Sequence, residues 1–199
     1  MKLEPLDRER HASPLFAAFE DAPQSIWTYM TFGPFLEVAE LAATIDALVA
    51  DPDWQPYAIV VAGMALGFMS YLRIDQRNGV IEIGSIVLSP SLQRTTPATE
   101  ALYLLIKNAF DVGYRRCEWK CDDLNVPSRL AAERLGFRYE GTFRKATHYK
   151  GRSRDTAWFA ITDDEWPALD TAFRAWLSDD NFGPDGRQRN SLATPRRGS

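Results

Sequence analysis

Two stretches of the chain combine residue types and spacings that could do chemistry. Gln93-Arg94-Thr95-Thr96-Pro97-Ala98-Thr99-Glu100 lies between a strand pattern ending at Leu88 and a helix pattern opening at Ala98. A loop that enters a helix leaves backbone N–H groups unpaired at the positive end of the helix dipole. That is a natural phosphate site, and Arg94 would add a full charge beside it. The same residues also read as an ordinary polar loop with Thr96 as N-cap and Pro97 at the first helical position. The loop contains no Gly, which weakens the phosphate reading. The second stretch is Cys117-Glu118-Trp119-Lys120-Cys121-Asp122-Asp123-Leu124-Asn125-Val126-Pro127-Ser128-Arg129, a strand that runs into a helix through Asn125. Alternation along the strand puts Cys117, Trp119 and Cys121 on one face and Glu118 and Lys120 on the other. Taken alone, Asn125 and Ser128 read as caps of the helix that follows.

The elements that would position these residues follow from periodicity. Residues 8–20 and 36–50 read as helices, the second with a broad apolar face of Leu36, Ala39, Leu41, Ala43, Ile45 and Leu48. An aromatic loop, Ile26 to Phe35, joins them. Strand signals follow at Tyr57–Val61, Leu66–Ile74 and Val80–Leu88, with Asn78-Gly79 marking a hairpin turn. Ala98 to Val112 has the apolar spacing of a helix through Leu102, Leu105, Ile106, Ala109 and Phe110. A strand at Arg116–Cys121, a short helix from about Pro127 to Leu135, and strands at 137–148 and 154–162 come next. A last helix spans 163–177, its acidic start suiting the dipole. The order αα-βββ-α-β-α-ββ-α predicts an α+β domain on a mixed, mostly antiparallel sheet.

Composition bounds the function. The 199 residues fit one domain, residues 1–178, with a C-terminal tail. The net charge of −4 gives no electrostatic footprint for nucleic acid. Four residues of strand span roughly 13 Å, so Cys117 and Cys121 cannot form a disulfide within one strand. Two cysteines with the distant His11 and His148 make no metal pattern. No apolar run reaches the ~18 residues of a membrane span. The charged N-terminus lacks the apolar core of a signal peptide, so the cytoplasm is the expected compartment. From Ser178 to Ser199 the only apolar residues are Phe182, Leu192 and Ala193, alongside four arginines. Such a segment buries too little to order itself, and 179–199 is expected to be flexible or loosely docked. An arm that contacts nucleic acid or a partner is the sharper alternative.

Together the two stretches resemble the GCN5-related N-acetyltransferase (GNAT) superfamily, nearest its RimJ/RimL-like branch, over roughly residues 1–177. The family's pyrophosphate loop reads Arg/Gln-x-x-Gly-x-Gly/Ala; here Gln93 to Ala98 matches at both ends, with Thr96 where Gly is usual. Ala98-Thr99-Glu100-Ala101 looks like the branch's helix start. Glu118 to Asp122, Asn125, Ser128, Leu135-Gly136-Phe137, Glu140-Gly141, Asp155 and Asp163-Asp164-Glu165-Trp166-Pro167 match its second half in order and spacing.

The resemblance implies a GNAT-like sheet with helices on both faces. It implies acetyl transfer from acetyl-CoA, a cosubstrate, to a primary amine, either a protein N-terminus or a small molecule, without a metal. Ile86, Val87 and Leu88 would bond the pantetheine through their backbone. Gln93, Arg94, Thr95, Thr96, Ala98 and Thr99 would hold the pyrophosphate, and Asn125 and Ser128 the cofactor arm. Many family members carry a tyrosine acid where this chain has Ala132, so Ser128 is the candidate acid for the leaving thiolate. The glutamates that act as base in two branches are replaced here by Lys120 and Thr147, leaving Glu82 and Glu118 as base candidates and Glu82 equally readable as a surface carboxylate. Trp27, Tyr29 and Phe32 would wall the acceptor site. Asp21, Glu82 and Glu118 would favour a cationic acceptor. An edge strand near 137–162 offers a surface for a homodimer. A non-catalytic acyl-CoA-binding module is the competing reading, since the Gly-free loop and the missing tyrosine and glutamates all permit it.

Overall fold

The computed structural model describes residues 1–192; the tail expectation for 193–199 lies outside the described residues. Seven strands form one sheet: β1 Lys2–Pro5, β2 Trp54–Val61, β3 Met64–Asp75, β4 Val80–Leu88, β5 Arg116–Asp122, β6 Arg138–Tyr149 and β7 Arg152–Thr162. Five helices flank it: α1 Arg8–Phe19, α2 Val38–Ala50, α3 Thr96–Asp111, α4 Val126–Arg134 and α5 Trp166–Leu177. The strand order is β1-β2-β3-β4-β5-β7-β6, and β4 with β5 is the one parallel pair in it.

Three elements differ from the sequence expectation. β1 was not expected: four residues of mixed polarity carry no periodic pattern, yet they pair with β2 from Lys2↔Val60 to Pro5↔Tyr57. The N-cap of α3 is Thr95 rather than Thr96; its hydroxyl oxygen accepts from the Ala98 N–H at 3.3 Å. Residues 163–165 belong to a turn before α5, closed by the Glu165 carboxylate on the Thr162 N–H at 3.0 Å. The buried stripe of α2 is also narrower than expected. It runs through Leu41, Ala42, Ile45 and Leu48, while Leu36 stands exposed before the helix.

Each sheet face has its own core. One gathers Ile81, Ile83, Trp119, Phe159, Leu102, Ile106 and Phe173 beneath α3 and α5. The other gathers Leu15, Phe19, Trp27, Leu41, Ile45 and Phe68 beneath α1 and α2. Burial of each such side chain contributes roughly 1.5–3 kcal/mol. Cys117 and Cys121 are free and buried on the same face as Trp119. Burial pushes both thiols well above their ordinary range.

Two irregularities of β4 open the sheet. Its register with β3 passes from Ser70↔Gly84 to Phe68↔Val87, so β4 carries one extra residue there. Ser85 takes a left-handed conformation at φ 51° in that bulge. On its other edge β4 pairs with β5 only through Val80↔Arg116, Ile81↔Cys117 and Glu82↔Glu118; beyond Glu82 the two strands separate.

The described part of the polar C-terminal segment is docked by side-chain amides together with the apolar contacts of Phe182 and Leu192. Asn181 is buried. Its amide nitrogen donates to the carbonyls of Trp176 at 2.9 Å and Asn190 at 3.2 Å. The Trp176 indole donates to Gln188 at 2.9 Å, and Phe182 meets the Trp176 ring edge-on at 5.5 Å. Among the described residues no helix is long and apolar enough to cross a membrane.

Candidate active site

The first stretch singled out in the sequence lies at the mouth of a cleft of about 710 Å3 at the start of α3. Arg94, Thr95, Thr96, Ala98 and Thr99 line it, with Leu88 from the end of β4. The loop needs one left-handed residue, and Arg94 supplies it at φ 60°. Thr96 is already helical and needs no glycine conformation. The turn is therefore made without Gly, at a local cost of roughly 1–2 kcal/mol for a non-glycine residue. Gln93 behaves differently: its side-chain amide donates to the Leu88 carbonyl at 3.0 Å, tying the loop to the strand end, and it does not line the cleft.

The opposite wall was not foreseen. Arg134, at the end of α4, lines the cleft and donates to the Thr99 hydroxyl at 3.2 Å. It stacks over Trp176 at 5.2 Å and has no carboxylate partner among the described residues. Burial pushes its pKa down, which marks an uncompensated cation. Phe182, Arg187 and Gln188 of the C-terminal segment complete that wall. Helix-start amides facing an unpaired guanidinium suit an anionic group such as a diphosphate.

A second cavity, of about 460 Å3, passes through the opening between the strands. Ile83, Gly84, Ser85 and Ile86 line one side, and Trp119, Lys120, Cys121 and Asp122 the other. Asn125 and Ser128 stand at its α4 edge. Asn125 caps α4, its carbonyl oxygen accepting from the Ser128 N–H at 3.2 Å. The Ser128 hydroxyl oxygen accepts from the Trp119 indole at 3.0 Å. The Ser128 hydroxyl keeps its proton free to donate, since in this bond it is the acceptor. Ala132 is wholly buried and offers no hydroxyl to the cavity.

The carboxylates are arranged differently from the expectation. Glu82 is buried, which removes the reading of a solvated surface carboxylate. Lys120 bridges Glu82 at 2.9 Å and Glu118 at 2.7 Å. Arg73 pairs with Glu82 at 2.6 Å, and Arg116 with Glu118 at 2.8 Å. Arg116 also holds Glu140 at 2.5 Å and keeps its carboxyl below the usual range. Glu82 lines the cavity; Glu118 lies behind Lys120 and does not. Asp21 is exposed on the loop after α1 and is not on the wall. The acidic character expected to attract a cationic acceptor is thus neutralised by these pairings.

Tyr29, Met30, Thr31 and Phe32 of the aromatic loop line the cavity, but Trp27 does not. Its ring is packed between Phe19 at 5.2 Å and Phe35 at 5.1 Å inside the second core, so it supports the wall from behind. The Tyr29 hydroxyl donates to the Leu124 carbonyl at 3.0 Å. Lys150, at the tip of the β6–β7 hairpin, donates to the carbonyls of Trp27 at 2.8 Å and Gly33 at 3.0 Å. Thr147 reaches the cavity, whereas His148 is exposed and does not.

Comparison with known proteins agrees with this geometry. Residues 1–138 match the family model for the acetyltransferase (GNAT) domain. The chain belongs to the GNAT family of acetyltransferases, and the fold described above matches it. It superposes with a TM-score of 0.93 and 44% identity on a GCN5-related N-acetyltransferase from Brucella melitensis, covering 96% of this chain and 88% of that one. A GNAT-family structure from Chromobacterium violaceum has 44% identity and a TM-score of 0.79, covering 83% of this chain and 84% of that one. The uncharacterized N-acetyltransferase YnaD of Bacillus subtilis is 28% identical over 81 residues, 40% of this chain. The matched stretch spans about half, 48%, of that curated relative.

Proposed function

We propose that this protein is an acetyl-CoA-dependent N-acetyltransferase that acts on a primary amine by direct attack. One observation carries the reading. β4 and β5 part after Glu82 and Glu118, with a phosphate-suited helix start beyond β4 and an oriented hydroxyl, Ser128, at the head of α4. The residues present fit the cosubstrate: an unpaired Arg134 and the α3 amides for its diphosphate, and strand backbone for its amide-bearing arm. When bound, acetyl-CoA supplies an activated acetyl carbonyl and a thiolate leaving group. Thr95, Thr96, Ala98, Thr99 and Arg94 hold the phosphates; Ile86 and Leu88, which line the two cavities, face the arm. Val87, expected beside them, is buried, pairs with Phe68 on β3 and lies on neither wall. The amine nitrogen bonds to the acetyl carbon as the carbon–sulfur bond breaks. The amine gives its proton to solvent in the cavity, with Glu82 the nearest carboxylate able to receive it. Ser128, its oxygen already engaged by Trp119, donates its proton toward the departing sulfur. The RimJ/RimL-like resemblance supports a protein N-terminus or a small amine as acceptor. Residues 1–178 form the catalytic domain in this reading, and the segment from 179 walls the phosphate end.

Turnover tests the proposal through release of the CoA thiol with a panel of amines. The buried protein cysteines should stay silent to a thiol reagent in the native state. Ser128→Ala should lower turnover roughly 10²-fold, the usual scale for one general acid, with acetyl-CoA affinity little changed. Binding of acetyl-CoA without thiol release from any amine would favour the non-catalytic acyl-CoA-binding module.

A further inference from the structure

The charges around the central cavity do not balance, and the imbalance falls on one residue. Glu82 is matched by Lys120 and Arg73, Glu118 by Lys120 and Arg116, Glu140 by Arg116, and Asp122 by Arg152 at 2.9 Å. Arg154, two residues further along β7, lines the same cavity and has no carboxylate partner among the described residues. Its Nε is buried without any hydrogen-bond partner. The Tyr149 ring lies under the guanidinium at 6.0 Å. A guanidinium cannot shed its charge at neutral pH, so a half-buried one is stable chiefly where an anion can meet it.

A second observation points the same way. Among the described residues five buried side-chain polar atoms lack a partner, and four of them, on Ser85, Arg154, Thr156 and Trp158, belong to residues on this cavity wall. Buried polar groups are normally paired, so such a cluster marks where a polar ligand is expected. Arg154, Thr156 and Trp158 alternate along β7 and share its face with Lys120 and Asp122, their register partners being Thr147 on β6 and Asp122 and Lys120 on β5. Two of the four atoms are N–H donors and two are hydroxyls. Such a set is rich in donors and carries one surplus positive charge.

We propose that the acceptor is a small amine that also carries a carboxylate, an amino-acid-like molecule, and that Arg154 is the residue that selects for the carboxylate. This rests on the N-acetyltransferase reading above. The amine then lies toward Ser128 and Glu82, the carboxylate toward Arg154, and an apolar substituent against Phe143, which stacks on Trp158 at 4.6 Å. A cavity of about 460 Å3 suits a ligand of that size.

The test uses matched amines, glycine, leucine and phenylalanine against glycinamide, leucinamide and phenylalaninamide, with each rate referred to the concentration of neutral amine because the amides have the less basic nitrogen. Thiol release gives kcat/KM for the wild type, Arg154→Gln and Arg154→Lys. The expected result is a preference for the carboxylate member by about tenfold or more, the scale of one charge-assisted hydrogen bond. Arg154→Gln should bring the ratio close to one, and Arg154→Lys should recover part of it. No preference in the wild type, or one that survives Arg154→Gln, overturns the proposal. Should none of these amines turn over, their N-acetyl products decide by thermal shift, with and without CoA. Stabilisation by N-acetyl-leucine over its amide, lost in Arg154→Gln, supports the carboxylate site; equal or absent stabilisation overturns it. Acetyl-CoA is run alongside on the same proteins. Failure of acetyl-CoA to stabilise the wild type would sink the acetyltransferase reading itself, a separate result from loss of carboxylate selectivity.

Discussion

Lys120 shows how much one side chain on a strand can hold. Glu82 and Glu118 are register partners on adjacent strands, and like charges directly opposite are destabilising. Lys120 lies within 3 Å of both, with its ammonium over the Trp158 ring at 3.7 Å. Lys120→Met should leave two buried carboxylates side by side, supported only by Arg73 and Arg116. We expect a loss of about 2 kcal/mol at neutral pH in denaturant unfolding. No loss of stability would show that Arg73 and Arg116 hold the two carboxylates without the lysine. Strand alternation put Lys120 and Glu118 on one face, as their ion pair shows, but the pairing with Glu82 was not legible in the sequence. The register that brings residue 82 beside residue 118 is long-range information, and so is the pairing that leaves Arg154 without a partner. Ser128 and Asn125 could be singled out because a helix cap is a local pattern.

At the scale of elements, the opening of the sheet depends on a close approach between strands. Gly67 on β3 faces the bulged part of β4, and a Cβ there would come within 2.6 Å of the Val87 carbonyl oxygen. Gly67→Ala should push β4 outward where the pantetheine arm is proposed to lie. The expected outcome is weaker acetyl-CoA binding, by tenfold or more in a titration, with stability down by about 1–3 kcal/mol. Unchanged affinity would show that the bulge does not position the cosubstrate. β4 itself was read correctly to the residue from its apolar run and the Asn78-Gly79 turn. Its bulge was not, although Gly84 beside Ser85 is the local signal that could have marked it. β1 escaped notice because four residues are too few to display a period. The α3 cap was misassigned by one residue because Thr95 and Thr96 have equal capping chemistry.

For the whole molecule, the C-terminal segment shows how a polar stretch can dock. Its composition predicted a flexible or loosely docked tail, and in the described part Asn181, Gln188 and Phe182 fasten residues 179–192 onto α5. Phe182, Arg187 and Gln188 then form part of the phosphate cleft. A chain ending at Ser178 should uncover Trp176 and lose this wall. We expect a lower melting temperature and weaker acetyl-CoA binding together; a truncated protein with full affinity would show that the segment only protects the core. Sequence periodicity was enough for the layered α+β sheet because α1, α2, α3 and α5 each bury an apolar stripe and the central strands carry apolar runs. The two cavities lie between elements distant in the chain, and only the folded arrangement reveals which charges meet there.

The central claim is that acetyl-CoA occupies the cleft at the start of α3 and the opening between β4 and β5. Thermal unfolding with acetyl-CoA, free CoA and ATP measures this most directly. A ligand at 100 times its dissociation constant adds about 2.7 kcal/mol, a shift of several degrees for a domain of this size. Both CoA forms should stabilise the protein and ATP should not, and Thr96→Asp, which sets a negative charge at the helix start, should abolish the effect. No shift at millimolar acetyl-CoA, or a shift that Thr96→Asp leaves intact, would contradict the assignment.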